Sequence, residues 1–152
     1  MENHHVQIHV DQKPHQSSTP TTGADLYELL DVPDGRVLYR EVSGNTEDKP
    51  VRIDEPHVLL VEDEHFHVGE APENYYLIRV NTEPFIVEHQ EVTFDQVVKL
   101  AYPTLPGGLD PEFTVSFERA KSTPHHGDLA KNGKVEVKKH GTLFDVGHTN
   151  RS

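Results

Sequence analysis

One pattern of residues occurs twice in this chain, and the two copies are separated by a constant distance. The first copy contains Ile8, Val10, Asp11 and Pro14, and the second contains Ile78, Val80, Asn81 and Pro84. Each pair is 70 residues apart, since 78 − 8 and 84 − 14 are both 70. Alternating apolar and polar residues followed by Asp or Asn predict a strand, a turn and a second strand. An internal repeat of this kind constrains the fold to two copies of one small domain.

A short amphipathic helix is predicted after each pair of strands. Thr22 precedes Asp25 by three residues, and Thr93 precedes Gln96 by the same spacing, so each threonine can cap a first helical turn. Apolar residues at helical spacing follow, namely Leu26, Leu29 and Leu30 in the first copy and Val97, Leu100 and Ala101 in the second. A proline soon after each apolar group predicts the end of the helix.

Each copy is then predicted to contain a third strand, a polar loop and a closing, hairpin-like pair of strands. The third strands are expected at 37–39 and 113–117, and Gly141 is a plausible turn residue in the second closing pair. The copies end in similar tetrapeptides, FHVG at 66–69 and FDVG at 144–147. A helix lying across a small mixed sheet in each copy gives an α+β fold.

These elements predict two domains, at 5–69 and 75–147, which are joined by a linker at 70–74. A flexible tail is expected at 148–152. The length of 152 residues and a hydrophobic share of 34% suit two small domains with thin cores better than one large core.

The apolar run at 59–61, Leu-Leu-Val, has two interpretations. An unbroken apolar run usually marks a fully buried strand. The alternative is an exposed patch that binds a partner. We favour the buried strand.

Several classes of function are not supported by the sequence. Cysteine is absent, which excludes disulfides, thiolate zinc sites and a cysteine nucleophile. No phosphate-binding glycine loop or nucleophile elbow is present, so we do not expect an enzyme. The twelve histidines have no recognised metal-ligand spacing, and we expect no metal site. With neither an apolar run of membrane-spanning length nor a signal-peptide pattern, we expect a cytoplasmic protein without a membrane partner.

The net charge of −12 is concentrated in the first half of the chain. Residues 1–75 hold 5 Lys/Arg and 16 Asp/Glu, a net of −11, whereas residues 76–152 hold 9 and 10, a net of −1. Neither half is basic enough to predict nucleic-acid binding. A docking face is expected in the second half, where Lys131, Lys134, Lys138 and Lys139 lie close together. The other interpretation, which we slightly favour for these lysines, is a solvated edge strand that is protected by charge.

The element order and the final segment resemble ubiquitin. The segment GTLFDV at 141–146 is similar to the last strand of ubiquitin, which is also followed by a six-residue tail, here 147–152. Residues 113–146, with FTVSFER, DLAKNGKVEV and GTLFDV, resemble the bacterial multi-ubiquitin-domain family. The resemblance implies two tandem β-grasp (ubiquitin-like) domains.

The resemblance also implies that the protein is a modifier and a substrate of other enzymes. Tandem members of the family are two-domain modifiers of anti-phage defence operons and are similar to the interferon-induced tandem ubiquitin-like protein of animals. Their neighbours are an activating enzyme, a conjugating enzyme and a JAB-type metallopeptidase. The C-terminal carboxylate would be adenylated by the activating enzyme with ATP, passed to a partner's cysteine and joined to an amine of a target, such as a phage structural protein. The chain itself would hold no cofactor.

The sequence departs from ubiquitin because Arg151-Ser152 stands in place of the two final glycines. In one alternative, a peptidase cuts before His148 and Gly147 becomes the reactive residue, since a small residue crowds the adenylate least. In the other, Ser152 is used. We favour Gly147. Residues expected to dock the enzymes are Lys134, Lys138, Lys139, Phe144 and Val146.

Two other functions remain possible from the sequence. A non-covalent adaptor made of two β-grasp modules would not need the C-terminal tail. A sulfur carrier would use the same activation chemistry, but the duplication and the missing Gly-Gly argue against it.

Overall fold

The chain forms two compact units, Met1–Pro72 and Glu73–Ser152, here called unit 1 and unit 2. The structure is a computed structural model, and it describes residues 4–42, 48–104 and 111–150. The division between the units falls inside the predicted linker.

Unit 1 is a five-stranded mixed sheet with one helix. Its elements are β1 (His4–Val10), β2 (Lys13–Thr19), α1 (Gly23–Leu29), β3 (Arg36–Arg40), β4 (Lys49–Val51) and β5 (Glu64–Glu70). The strand order is β2-β1-β5-β3-β4. β1 and β5 are parallel, and the other neighbouring strands are antiparallel.

Unit 2 repeats this arrangement and adds a small second sheet. Its elements are β6 (Tyr76–Val80), β7 (Glu83–Val87), β8 (Glu91–Thr93), α2 (Phe94–Ala101), β9 (Pro111–Glu118), β10 (Gly127–Leu129), β11 (Lys134–Glu136) and β12 (His140–Asn150). The main sheet has the order β7-β6-β12-β9-β10, which matches unit 1 strand for strand, while β8 pairs with β11. The predicted tandem β-grasp α+β fold is confirmed.

Tight turns of the same kind close the first hairpin of each unit. Asp11 and Gln12 have φ of 49° and 69°, and Asn81 and Thr82 have φ of 51° and 72°. Two successive residues with positive φ are typical of a type I′ turn, whose twist matches that of the flanking strands. Asp and Asn tolerate this left-handed conformation, which explains why the repeat keeps them at the first turn position.

Both helices begin at the threonines that the sequence identified. Thr22 Oγ1 accepts a hydrogen bond from the Asp25 amide at 3.1 Å. Thr93 and Gln96 form a complete capping box. Leu26 and Val97, one in each helix, are fully buried. In the described part of the chain, no helix has the length and apolar character that a membrane span requires.

Each unit has its own hydrophobic core, formed between the helix and one face of the sheet. In unit 1 the core contains Ile8, Val10, Leu26, Tyr27, Leu38, Val51, Val58, Leu60 and Phe66. The hydroxyl of Tyr27 donates to the Val51 carbonyl at 2.5 Å and accepts from the Leu38 amide at 3.0 Å. A single buried hydroxyl therefore satisfies polar groups of β3 and β4 within the core.

The predicted closing hairpins are wrong in both units. In unit 1, residues 57–61 form no strand, and only Val58 makes an isolated bridge, to Thr21. In unit 2, β11 pairs with β8 and not with β12. Gly141 has a φ of 102°, but it lies within β12, at an irregularity of the pairing with β6. The last strand of each unit lies between the first and third strands, where Phe66 or Phe144 becomes fully buried.

The predicted burial of residues 59–61 is wrong for two of the three side chains. Leu60 is buried, but Leu59 is 62% exposed and Val61 is 64% exposed. An extended segment on the surface of a domain turns successive side chains to opposite sides. Hydrophobicity therefore did not predict which side chains of residues 59–61 are buried.

Candidate functional site

β12 is the central strand of its sheet, and it continues beyond the point at which the sequence analysis ended it. The strand pairs with β6 in its first half and with β9 over 143–150. Gly147 lies opposite Thr114 in the β9 ladder. Residues 148–150, which were expected in a flexible tail, are therefore strand residues. The sequence GHTN lacks the apolar alternation that signals a strand, and the available partner residues of β9 determine the pairing.

On the side of β12 that faces β6, the side chain of Asn81 binds the backbone of Val146. Asn81 Oδ1 accepts from the Val146 N–H at 2.8 Å, and Asn81 Nδ2 donates to the Val146 carbonyl at 3.2 Å. The Asn81 N–H donates to the Phe144 carbonyl at 2.9 Å. The amide side chain thus makes the two hydrogen bonds that a neighbouring strand residue would make. Asn81 holds β12 in the sheet past the end of β6.

Gly147 takes part in the ladder with β9. Backbone groups of a strand point alternately to the two sides. Because the N–H and C=O of Val146 face Asn81, those of Gly147 face Thr114, and those of His148 face the side on which β6 has ended. The peptide bond between Gly147 and His148 therefore lies within the ladder that β12 forms with β9.

Gly147 and Gly69 occupy the same position in the two units, and close neighbours account for glycine at both. A Cβ atom on Gly69 would lie 3.2 Å from Cε2 of Tyr39. A Cβ atom on Gly147 would lie 3.3 Å from Oγ1 of Thr114. Neither glycine has a positive φ. Glycine at 147 therefore has a packing reason, although the exposed Thr114 side chain can move by the few tenths of an ångström that an alanine would need.

Tyr39 secures the end of β5 in unit 1. Its hydroxyl donates to the Glu70 carbonyl at 2.5 Å, and its ring stacks on His67 at a centroid distance of 5.2 Å. Burial, and to a lesser extent the Glu70 carboxylate, raises the pKa of the Tyr39 hydroxyl above its usual value. The last residue of β5, Glu70, is thereby held to β3 just before the chain passes into unit 2.

The end of β12 is restrained by a group of three rings, Tyr102, Phe113 and His148, which we call the aromatic group. The His148 ring meets the Tyr102 ring edge-on at 5.0 Å and lies 6.2 Å from the Phe113 ring. Tyr102 is the residue that ends α2, and its ring lies 5.6 Å from that of Phe113. Aromatic pairs of this kind contribute about 0.5–1.5 kcal/mol. The aromatic group therefore ties His148 to both α2 and β9.

Two of the five predicted docking residues are buried. Phe144 is 2% exposed and Val146 is 6% exposed, and both belong to the core of unit 2. Alternation along β12 turns these two side chains toward the helix. The prediction that they form a docking surface is wrong in this fold.

The three lysines predicted for docking are exposed, and each has different neighbours. Lys134 Nζ lies 3.4 Å from a carboxylate oxygen of Glu91. Lys139 Nζ donates to two backbone carbonyls at the start of unit 2 and lies 4.8 Å from the ring centroid of Tyr76. Lys138 lines a shallow cleft beside the β9–β10 edge. A docking role for these lysines stays a prediction.

The sequence analysis missed Asn81 and Tyr102 as residues that control this strand. The sequence contained one indication for Asn81, because the side chain of an Asn at a turn can form hydrogen bonds with nearby backbone groups. For Tyr102 it contained none, since the contact with His148 depends on the tertiary fold. Ser152, the third predicted conjugation residue, lies outside the described residues.

Histidines of unit 1 form pairwise contacts on the outer face of its sheet. The rings of His9 and His65 stack at 4.6 Å, and His9 Nε2 lies 3.2 Å from an Asp63 oxygen. His67 Nδ1 lies 3.4 Å from an oxygen of Asp48. Across the residues that the structure describes, no three His, Asp or Glu side chains are arranged to hold a metal ion.

Comparison with known families identifies the second unit. A family model described as Multiubiquitin matches residues 76–150, from the first residue of β6 to the last residue of β12. The comparison with curated proteins gave no match. Unit 1 has the same strand order as the matched unit. Unit 2 is therefore similar to the domains of the Multiubiquitin family over nearly its whole length, and the chain is a tandem β-grasp protein.

Proposed function

We propose that this protein is a ubiquitin-like modifier that partner enzymes activate at a C-terminal carboxylate and join to amino groups of target proteins. Its proposed setting is bacterial anti-phage defence in the cytoplasm. The observation that carries the proposal is the match of unit 2 to the Multiubiquitin family over a β-grasp fold. Among the strands of that unit, β9 pairs with residues 147–150 of β12, and release of this end requires that pairing to open.

The bond-forming chemistry belongs to the partners. The carboxylate attacks the α-phosphate of ATP on an activating enzyme, which gives an acyl adenylate and releases pyrophosphate. A cysteine thiolate then displaces AMP, and a target amine displaces the thiolate to form an amide. The chain has no cysteine, so both thioester cysteines would lie on the activating and conjugating enzymes. A JAB-type metallopeptidase would supply the reverse, hydrolytic step with a zinc-bound water.

The pairing of β12 supports a reactive carboxylate beyond Asn150. A carboxylate at Gly147 would lie in the β9 ladder, one residue after the buried Val146. It could enter an enzyme channel only if Val146 left the core, and exposing a buried valine costs about 1.5–3 kcal/mol. Asn150 is the last described residue and pairs with Pro111 of β9, and Ser152 lies two positions further along the chain. We therefore propose a reactive carboxylate beyond Asn150, with Ser152 as the candidate, in place of the Gly147 that the sequence favoured.

Trimming to Gly147 is the alternative within the same function. A peptidase would first have to open the pairs at 147–150 and separate His148 from the aromatic group. After the cut, Asn81 would still bind both backbone groups of Val146. The trimmed product would thus present a short, sheet-bound end.

Reconstitution with three forms of the chain tests the proposal. The full chain, a deletion of residues 148–152 and Gly147→Ala are each incubated with ATP and with the activating and conjugating enzymes of an operon that encodes a two-domain modifier. Gly147→Ala is the matched control, because its new Cβ meets only the side-chain oxygen of Thr114, at 3.3 Å. Thiol-sensitive adducts are measured by intact mass.

The three forms give distinguishable results. We expect the full chain and Gly147→Ala to form a thioester and the deletion to form none. If the deletion is activated and the full chain is not, the reactive end is Gly147 and the placement at Ser152 is wrong. If no form is activated while all three stay folded by NMR, the modifier function itself is rejected.

A non-covalent adaptor is the second candidate, and one observation favours it. Leu59 and Val61 are largely exposed in unit 1, as expected for a binding surface. An adaptor would keep its activity without residues 148–152 and would lose it when this surface is changed.

A further inference from the structure

The exposed apolar side chains of the described residues all lie in unit 1. They are Leu29, Leu59 and Val61, with exposed fractions of 45%, 62% and 64%. Leu59 and Val61 belong to one extended segment, 58–61, in which they alternate with the buried Val58 and Leu60. We call Leu59 and Val61 the apolar ledge. Unit 2 exposes no large apolar side chain among its described residues.

The backbone under the apolar ledge is held by hydrogen bonds, although it is not a strand. Val58 exchanges two backbone hydrogen bonds with Thr21, at 2.7 and 2.9 Å. Thr19 Oγ1 accepts from the Leu60 N–H at 2.9 Å and donates to the Leu60 carbonyl at 3.3 Å. The backbone is therefore fixed at Val58 and Leu60, whose side chains are buried. The side chains of Leu59 and Val61 project outward as a consequence.

Charged side chains secure the outward-facing residues as well. The Arg40 guanidinium donates to the Leu59 carbonyl at 2.8 Å, and its Nε lies 2.7 Å from a carboxylate oxygen of Glu64. The other oxygen of Glu64 accepts from the Val61 N–H at 3.1 Å. Each residue from 58 to 61 thus has a defined backbone partner. A surface held in its binding conformation loses little entropy when a partner binds.

Acidic residues near the apolar ledge favour a partner segment that carries positive charge. Residues 1–72 hold 15 Asp/Glu and 5 Lys/Arg, a net of −10. Glu62 and Asp63 directly follow the ledge and are exposed. Glu62 and Asp63 contact the Gln7 N–H and His9, which are groups of β1, so their carboxylates are held beside the ledge. Arg40 and Lys49 line the cleft at the Leu59 end, so the acidic border lies at the Val61 end of the ledge. An apolar surface with an acidic border on one side attracts an apolar segment that carries basic residues on the matching side.

We propose that the apolar ledge of unit 1 is a docking site for a partner-protein segment that combines leucine-like side chains with lysine or arginine. The apolar groups of the segment cover Leu59 and Val61, and its cations face Glu62 and Asp63. The site lies in unit 1 and is independent of the carboxylate chemistry proposed for the end of unit 2. It gives the acidic unit a role of its own in choosing partners.

Defined peptides and the full chain test this proposal by NMR titration. The probe is a synthetic 14-residue peptide of leucine and lysine with helical spacing. Two matched peptides replace every lysine with glutamate or every leucine with serine. The variants are Leu59→Ser/Val61→Ser, Glu62→Gln and the control Leu29→Ser, which removes an exposed leucine elsewhere in unit 1. All substituted side chains are exposed, so the amide spectra should show an intact fold.

The leucine-lysine peptide should shift the amide signals of residues 58–64. It should bind the Leu59→Ser/Val61→Ser variant at least about tenfold more weakly, because this variant lacks the two apolar side chains that the peptide would cover. Glu62→Gln should weaken binding by about two- to fivefold at low salt, and Leu29→Ser should have no effect. The proposal is overturned if the glutamate peptide binds equally well, or if the shifts lie elsewhere. It is also overturned if the chain dimerises through the ledge, because the occupant is then a second copy.

Discussion

Replacing Asn81 tests whether one side chain holds the last strand in its sheet. Asn81→Gly keeps the left-handed turn conformation, with φ of 51°, and removes the two hydrogen bonds to Val146 at 2.8 and 3.2 Å. Each net hydrogen bond contributes about 0.5–1.5 kcal/mol, so the end of β12 should lose about 1–3 kcal/mol against local opening. Asn81→Ala should cost about 1–2 kcal/mol more, because alanine disfavours the left-handed conformation.

Amide hydrogen exchange on the full chain measures this effect residue by residue. In Asn81→Gly, the Val146 amide should exchange about 5- to 150-fold faster, which corresponds to about 1–3 kcal/mol. Asp11→Gly, at the equivalent turn of unit 1, is the control and should leave exchange in β12 unchanged. If exchange at Val146 in Asn81→Gly equals that of the unmodified chain, then β9 and the core alone hold the strand, and the reasoning from Asn81 is refuted.

Three further substitutions probe unit 1. Tyr27→Phe should lower its free energy of unfolding in urea by about 1–3 kcal/mol, because the buried Leu38 amide loses its partner; no change would show that water replaces the hydroxyl. Gly23→Ala should lower the same free energy by about 1–3 kcal/mol, because the new Cβ would lie 2.1 Å from the Arg52 carbonyl oxygen; a neutral result would mean that the backbone there shifts without cost. The raised pKa of Tyr39 means that the folded chain binds more protons than the unfolded chain above pH about 10. The stability that the neutral Tyr39 hydroxyl contributes is therefore present below that pH and lost as pH rises above it. Tyr39→Phe should remove this loss of stability from unfolding curves measured at alkaline pH. If the loss is unchanged in Tyr39→Phe, another titrating group causes it.

The repeated elements were predictable because their signals are local. The 70-residue spacing, the turn residues Asp11 and Asn81, and the helix caps Thr22 and Thr93 each depend on neighbours within a few positions. Such signals do not change with the tertiary context. They were sufficient for the first hairpin, the helix and the third strand of each unit, but not for the closing strands.

The extent of β12 and the partners of each strand were not predictable, because they depend on distant residues. β4, β8, β10 and β11 have only three residues each, too few for periodicity to appear. Residues 148–150 are polar and became strand residues because β9 offers them partners. Burial at 59–61 likewise follows from contacts with β2 and not from hydrophobicity.

The roles of residues in the candidate site also depend on tertiary contacts that the sequence does not show. Gly147 was chosen for its small size, yet its place opposite Thr114 gives the glycine a packing reason. Phe144 and Val146 have the apolar character of a docking patch, yet they fill the core. A residue type alone did not distinguish a reactive terminus from a strand position.

Tandem mass spectrometry of the branched peptide from a conjugate tests the central claim most directly. A conjugate is formed with the full chain, digested, and searched for the residue of this chain whose carbonyl is joined to the target amine. We expect an amide through a residue after Asn150, with Ser152 as the proposed position. A branch through Gly147 would contradict the proposed position, and the absence of any branched peptide from an active preparation would contradict conjugation itself.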